Sequence, residues 1–498
     1  MQNIKLNKLI NIPFAGTLLL ATLFIFILSA HCNLYIRPIS DDFWRDINHL
    51  TFNAYLLKIK DWYLHHNGRY SNSFISLIPF FYILPIYRIL AVAIQLLFIY
   101  SIKKTIDYFF AIKYSTAISF SFLAFYLAFC PGFYESFMWF ASSNHYMFGF
   151  IVLVFFLSIM FKMEMETFNF KHIFIATLLV FFLIGSNEVW LLLIPFIIFL
   201  FLSRKICNRS FQFLKTYIFL FLFASACLVL SYISPSNSIR SGNLPESKKL
   251  IESLIWSFKD FFIEIFHATA GVFSPFYLVL QFALLFLLTC MLYFKKNPVT
   301  SVISTLIKNK FYVIIGLLGA ILITLFAVKY GQSFHSLGIG RVRNLRFLFN
   351  IVLITYLSLI IAYYAHGHIK SSIILILKNL LKITITISVI TYFITNIIKV
   401  NSSQQLSNKA VTLGSNLFEL IYDYKNNRWK KYDTQWNERI KIAKQSQNKD
   451  LSFLPLKETP LILENKISSY ELEKDSSSYF NGGFAIKHNL KSVKVSDK

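Results

Sequence analysis

The 498-residue chain has little acid to set against its base: 24 Asp and Glu face 49 Lys and Arg, a formal charge of +25. On a soluble protein that surplus would point to nucleic acid. Here the basic residues fall mostly between apolar runs or in the tail. Membrane topology and anionic lipid account for them, and no nucleic-acid partner is expected. Cysteine is scarce too. Cys32, Cys130, Cys207, Cys227 and Cys290 lie in or beside apolar runs without paired spacing, which argues against a disulfide framework or a zinc site. Walker, dinucleotide-binding and HExxH sequences are absent, and no internal repeat is visible, so the usual soluble cofactor chemistries lack support.

What is abundant is apolar surface. The chain is 56% hydrophobic and 18% aromatic, with 55 Phe. A soluble domain of this length exposes too much surface for that composition. Near-uncharged runs of roughly 17–25 residues read as transmembrane helices. They lie near 13–34, 85–102, 114–130, 145–161, 173–186, 189–203, 216–233, 271–294, 311–328, 347–365 and 381–398. The expected fold is therefore an all-α polytopic membrane protein with about eleven spans. Residues 1–399 form the transmembrane domain and 35–84 its first long loop. The stretch 71–84 reads as a re-entrant or interfacial helix ending at Pro85. The first run follows Lys5 and Lys8 and reads as a retained anchor rather than a cleaved signal, because many spans follow.

Orientation follows from Lys and Arg. With the N-terminus inside, the short cytoplasmic segments hold eighteen and the longer opposite loops fourteen, a modest positive-inside bias. Residues 400–498 then lie outside the cytoplasm. This tail is polar, and "NNRWKKYDTQWNERIKIAKQ" has helical spacing with Trp429, Tyr432, Trp436, Ile440 and Ile442 as its apolar content. "LSFLPLKETPLI" reads as extended or turn structure. The tail is expected to be a small, partly ordered domain near the membrane, with its last twenty or so residues disordered.

Polar residues separate by side. The cytoplasmic loops are short, basic and plain. Of the thirteen acids before residue 400, ten fall on the opposite face and only Asp107, Glu164 and Glu166 fall inside. In "RPISDDFWRDI" the adjacent Asp41 and Asp42 repel, so a cation, an arginine or a substrate hydroxyl must share them. Arg37 and Arg45 are available, and Trp44 adds an aromatic face. Asp41, after Ser40, also fits a helix cap. In "DWYLHHNGRYSN", Gly68 permits a turn and Arg69 offers a planar fork suited to phosphate or to lipid headgroups. His65 and His66 point different ways on a helix and read as interfacial.

"FYESFMWFASSNHYMFGF" gathers Trp139, Asn144, His145 and Tyr146 at the start of a span. An aromatic face beside amide and imidazole donors suits a sugar ring. In "GSNEVW", Asn187 and Glu188 sit between two apolar runs, where an ionisable group is costly, although a surface hairpin is the alternative. "SPSNSIRSGN" carries Arg240. "GRVRNLR" carries Arg341, Arg343 and Arg346. Arginines from separate loops would suit a phosphate or diphosphate if the loops converge.

The ordered set "SDDFW", "NGRY", Trp139 followed by "SSNHY", "SNE" and "SPSNSIR" resembles a bacterial multipass family placed with the polyprenyl-phosphate-sugar-dependent glycosyltransferases of the C fold superfamily. The resemblance covers most of the chain through short motifs. It departs where glycine is usual, at Ser142 and in "SPSN". It implies that Asp41 or Asp42 is the base, and that Arg69, Arg240 and Arg341 or Arg343 hold the donor phosphate. It implies that Trp139, Asn144 and Tyr146 bind sugar, that Glu188 orients the acceptor or an arginine, and that transfer inverts the anomeric centre. His145, Asn187 and Trp44 join the substrate-binding set. The implied partners are a polyprenyl-phosphate-linked sugar and a glycan or lipid-linked acceptor at the bacterial cytoplasmic membrane. No metal ligand is assigned and a divalent cation is optional. A polysaccharide polymerase or ligase would show a larger late external loop. A lipid-linked glycan transporter would place ionisable residues mid-helix with repeat symmetry.

Overall fold

The computed structural model describes residues 2–39, 42, 51–66, 68–110, 115–165, 169–209, 213–237, 250–267, 275–296, 301–331, 340–402, 416–461, 463 and 471–496. In chain order, α1 (Gln2–Tyr35) leads into the first long loop, which holds α2 (Phe52–His65), α3 (Tyr70–Ser76) and a 3-10 turn at Pro79–Tyr82. Next come α4 (Leu84–Phe110) and α5 (Ser115–Phe129), then two short turns of helix, α6 (Phe133–Phe137) and α7 (Phe140–Ser143). The bundle continues with α8 (Met147–Met165), α9 (Phe170–Ile184), α10 (Glu188–Cys207), α11 (Leu214–Tyr232) and α12 (Leu250–His267). It closes with α13 (Pro275–Lys296), α14 (Ser301–Lys308), α15 (Lys310–Gly331), α16 (Gly340–Ala365) and α17 (Ser371–Ser402). The tail holds α18 (Asn416–Lys425), α19 (Arg428–Gln445), β1 (Asp450–Phe453), α20 (Tyr479–Lys487) and β2 (Ser492–Val495).

The chain is an all-α polytopic membrane protein. Among the described residues, eight stretches are long and apolar enough to cross a membrane. They are Ile10–Tyr35, Leu84–Phe110, Phe140–Glu164, Glu188–Cys207, Leu214–Tyr232, Lys310–Tyr330, Arg341–Ala365 and Ser371–Asn401. Three shorter apolar helices, Ser115–Phe129, Phe170–Ile184 and Val279–Lys295, fall on the other three expected runs. Outward faces are apolar, as with Leu19, Leu20 and Ile27 on α1 and Ile376, Leu380, Ile383 and Ile387 on α17. In water these would form a patch far larger than a soluble monomer carries.

The first surprise is α12, which falls within a stretch expected to be loop. Glu252, Lys259, Asp260 and Glu264 lower its hydropathy, yet it is inverted relative to a surface helix. Ser253, Ser257 and Asp260 are buried while Ile251, Leu254, Ile255, Phe258 and Phe262 are exposed. The polar face packs on α15, where Asp260 pairs with Lys329 at 2.5 Å, both nearly sequestered. The opposite end of the bundle is also less plain than expected. Glu164 of α8 is buried against Arg204 and Lys205 of α10 and accepts the Tyr217 hydroxyl of α11, tying three helices together.

Stretch 71–84 is not a continuous helix. It is α3 followed by the 3-10 turn, with Tyr70, Ser71, Asn72, Ser73, Ser76 and Leu77 buried in protein. Irregular backbone of this kind needs such enclosure beside a membrane.

The tail is more ordered than expected. Trp429, Tyr432 and Trp436 are fully buried along α19, but the face continues through Arg439 and Ala443, leaving Ile442 exposed. The stretch 451–460 begins as β1 and continues to Pro460 without regular structure, as expected. The expected disorder at the end is contradicted: α20 and β2 are formed, and β2 pairs in parallel with β1 from Asp450–Ser492 to Phe453–Val495. Phe453, Phe484, Val493 and Val495 are buried in a core continuous with that of the bundle, which a tail scanned only for long apolar runs does not reveal.

Candidate functional site

Several sequence segments meet at the end of the bundle where α1 finishes. The first contact is Gly68 against the end of α11. The Gly68 carbonyl accepts the Ser231 hydroxyl at 3.0 Å, and a Cβ at residue 68 would lie 2.3 Å from the Ser231 carbonyl oxygen. Asn237 caps the Ser231 carbonyl at 2.8 Å, and Ser234 bonds both Ser236 and the Tyr63 carbonyl. Gly68 and "SPSN" are thus packed together. Glycine is needed here for close approach.

Arg69 follows directly and reaches the first residue of α10. Its Nε and Nη2 donate to Glu188 Oε1 at 3.2 and 2.7 Å, and Nη2 donates to Oε2 at 2.6 Å. The fork is strong because the guanidinium and carboxylate are planar and oppositely charged. Glu188 also sits at a helix N-terminus, which favours its negative charge. Glu188 remains the more open partner, 43% exposed against 18% for Arg69.

Asn187 is the N-cap of that helix. Its Oδ1 accepts from the Val189 and Trp190 backbone at 2.8 and 3.3 Å, and its Nδ2 donates to the His145 carbonyl at 2.7 Å. The Trp190 indole donates to the same carbonyl at 2.8 Å. It fits only because residue 149 is glycine, where a Cβ would stand 2.3 Å from the indole nitrogen.

The His145 imidazole is buried. Its Nδ1 lies 2.9 Å from the Ser186 carbonyl oxygen, so Nδ1 carries the proton and donates. Asn72 of α3 also contacts the ring, and Asn144 donates to Asn72 Oδ1 at 2.6 Å. Asn144, His145 and Asn187, expected to bind substrate, are therefore turned inward and join α3, the 139–146 turn and the start of α10.

Trp139 and Tyr146 are placed differently. The Arg341 guanidinium at the start of α16 lies 5.3 Å from the Trp139 ring centre and 5.5 Å from that of Tyr146. Arg341 Nε and Trp139 Nε1 are buried and have no hydrogen-bond partner among the described residues. Arg341 and Tyr146 line a narrow crevice with Glu135, Ser136, Met147, Asn344 and Leu345. Asn344 closes its base by exchanging two 2.7 Å hydrogen bonds with Gly132. Arg343 does not join Arg341. At 100° per residue it points to another side of α16, where it is exposed, while Arg346 is buried.

Asp42 is fully buried and held by donors on both oxygens. Oδ2 accepts the Tyr87 hydroxyl at 2.7 Å and the Ile39 amide at 3.3 Å, and Oδ1 accepts the Ala141 amide at 3.1 Å. The Tyr87 hydroxyl accepts the Phe140 amide at 3.2 Å, so Asp42 and Tyr87 together cap α7. Arg37, expected to neutralise the acidic pair, is bonded elsewhere. Arg37 turns to the tail, where it bonds Asp433 and Asn437. Asp41, Trp44, Arg45 and Arg240 lie outside the described residues.

Tyr87, Asn72, Asn344 and Asp433 were not singled out from sequence. Tyr87 sits in an apolar helix, where one aromatic hydroxyl has no distinguishing signal. Asn72 and Asn344 carry a weak one, as amides flanking apolar runs. Among the described residues, no group of three or more His, Cys, Asp or Glu is placed to hold a metal ion. Comparisons with known protein families, with curated proteins and with solved structures find no match to this chain.

Proposed function

We propose that the chain is a membrane glycosyltransferase that moves a sugar from a polyprenyl-phosphate donor to a glycan or lipid-linked acceptor at the extracytoplasmic face. The observation that carries the reading is the arginine stacked against Trp139 and Tyr146, with its Nε turned to no described partner. Aromatic faces hold the guanidinium rigid, so its remaining N–H groups are preorganised for an anion. Such an anion is the donor phosphate, a monoester when it leaves. Arg69, steered by Glu188, and Arg240 are the other phosphate ligands in this reading.

Asp42 has both oxygens engaged and serves as the anchor of its segment, which leaves Asp41 as the base. Asp41 takes the proton of the acceptor hydroxyl while that oxygen attacks the anomeric carbon. The carbon–oxygen bond to phosphate breaks on the far face, polyprenyl phosphate departs, and the anomeric configuration inverts. An odd number of crossings, such as eleven, fits the placement of the tail. The tail packs where α1 ends, so the chain crosses the membrane an odd number of times between its N-terminus and α18. The positive-inside bias then puts that end outside the cytoplasm.

Asp41→Asn and Arg341→Ala are expected to lower transfer at least a hundredfold at unchanged membrane protein level, read as sugar incorporated into the surface glycan of the producing cell. Normal glycan in cells carrying either variant overturns the assignment.

A further inference from the structure

We infer that Asp433 of the tail is a positioning residue for the chain that leads into Asp42, and that the candidate centre is incomplete without the tail. The inference rests on the reading of Asp41–Asp42 as the catalytic pair.

One carboxylate oxygen of Asp433 accepts Arg37 Nε at 2.6 Å and Arg88 Nη2 at 2.8 Å. Arg88 Nε in turn donates to the Ile36 carbonyl at 3.2 Å. On the other side the Arg37 carbonyl accepts the Tyr134 hydroxyl at 3.3 Å, and the Tyr134 ring stacks on Trp429 of α19 at 5.9 Å and 17°. Asn416 fixes the start of α18 by donating to the carbonyls of Leu127 and Cys130 at 3.1 and 2.7 Å.

Ile36 and Arg37 on one side and Asp42 on the other are thus held by separate partners. The tail holds Ile36 and Arg37, while Tyr87 and Ala141 hold Asp42. Tyr87 and Arg88 are neighbours on α4, so both grips bear on one turn of one helix. Asp433 offers a single negative charge to two guanidiniums from different elements. Without it, two largely buried cations face each other and separate, and the segment that carries the acids is released at its Ile36 end.

The test uses the full chain with Ile39→Cys as reporter, since Ile39 is 1% exposed. Maleimide labelling at residue 39 is read by peptide mass spectrometry beside transfer activity. Asp433→Ala is expected to speed labelling at least tenfold and to lower transfer at least tenfold, and Asp433→Glu to restore both. Arg69→Ala is expected to lose transfer with residue 39 still protected. Should Asp433→Ala not accumulate, Asn437→Ala removes only a neutral partner of Arg37 and is expected to give an intermediate labelling rate. Protection of residue 39 in Asp433→Ala, or full transfer with residue 39 open, overturns the inference. If Asp41→Asn abolishes transfer and Asp433→Ala does not, only the role of Asp433 fails. If Asp41→Asn transfers normally, the glycosyltransferase reading fails and the role of Asp433 falls with it.

Discussion

Trp190 illustrates how little room single residues have at this end of the bundle. Its indole reaches the His145 carbonyl across the backbone of Gly149, and the same carbonyl takes the Asn187 amide. A methyl at residue 149 would push the ring out of a fully buried position. Overpacking of this sort costs about 1–3 kcal/mol, and losing the indole hydrogen bond adds about 1 kcal/mol. Gly149→Ala is therefore expected to lower the thermal midpoint of the purified protein by several degrees, measured by tryptophan fluorescence, whereas the open Gly16 tolerates the same change. An unchanged midpoint would mean that Trp190 moves aside freely. Residue types at this site were legible in the sequence, but their roles were not. Asn144, His145 and Asn187 have the donors a sugar needs. Those donors are spent on backbone and on one another because three chain turns meet there and leave carbonyls to be satisfied.

At the scale of the element, α12 is the instructive case. Hydropathy alone assigns it to a loop, since four charged residues fall within eighteen. Its charges are not spread evenly: Asp260 turns inward with Ser253 and Ser257, and the outward residues are apolar. A polar seam buried between helices with apolar side chains outside fits lipid as the surrounding medium. A bimane probe on Phe258→Cys is expected to be quenched by brominated acyl chains and not by aqueous iodide, while Ser257→Cys meets neither. Iodide quenching at residue 258 would place the helix in water. The eight long apolar helices were read from sequence because lipid demands continuous apolar length, and that requirement is local. Inverted amphipathicity escapes the same test, because the partner of Asp260 is Lys329, sixty-nine residues away.

At the scale of the whole molecule, the described residues of the tail pack on the bundle and share its core. It has its own pH dependence. Burial pushes His488 down to about 4, with Lys487 and Lys444 adding to the shift, and its ring packs at 4.5 Å on Phe484. In the unfolded chain the imidazole titrates near about 6.5. The folded tail therefore resists a proton that the unfolded tail accepts. Its contribution to stability is complete above that value and is lost as pH falls from about 6.5 to about 4. Wild-type protein is expected to lose thermal stability across this window more steeply than His488→Gln, followed by the fluorescence of the buried Trp429 and Trp436. Parallel curves would remove His488 from the account.

The sequence by itself determined the helical membrane architecture and the order of the polar segments. Both depend on local composition: a run either is apolar enough for lipid or is not. Only the tertiary structure decided what each polar residue does. Arg37 looked like the natural partner of Asp41 and Asp42 a few residues on, yet it pairs with Asp433, 396 positions away. Asp42 is enclosed by Tyr87 and the α7 backbone, while Arg341 is set between two rings from another segment. Charges and hydrogen bonds are satisfied by whichever group is nearest in space, and in a bundle this large the nearest group is seldom the nearest in sequence.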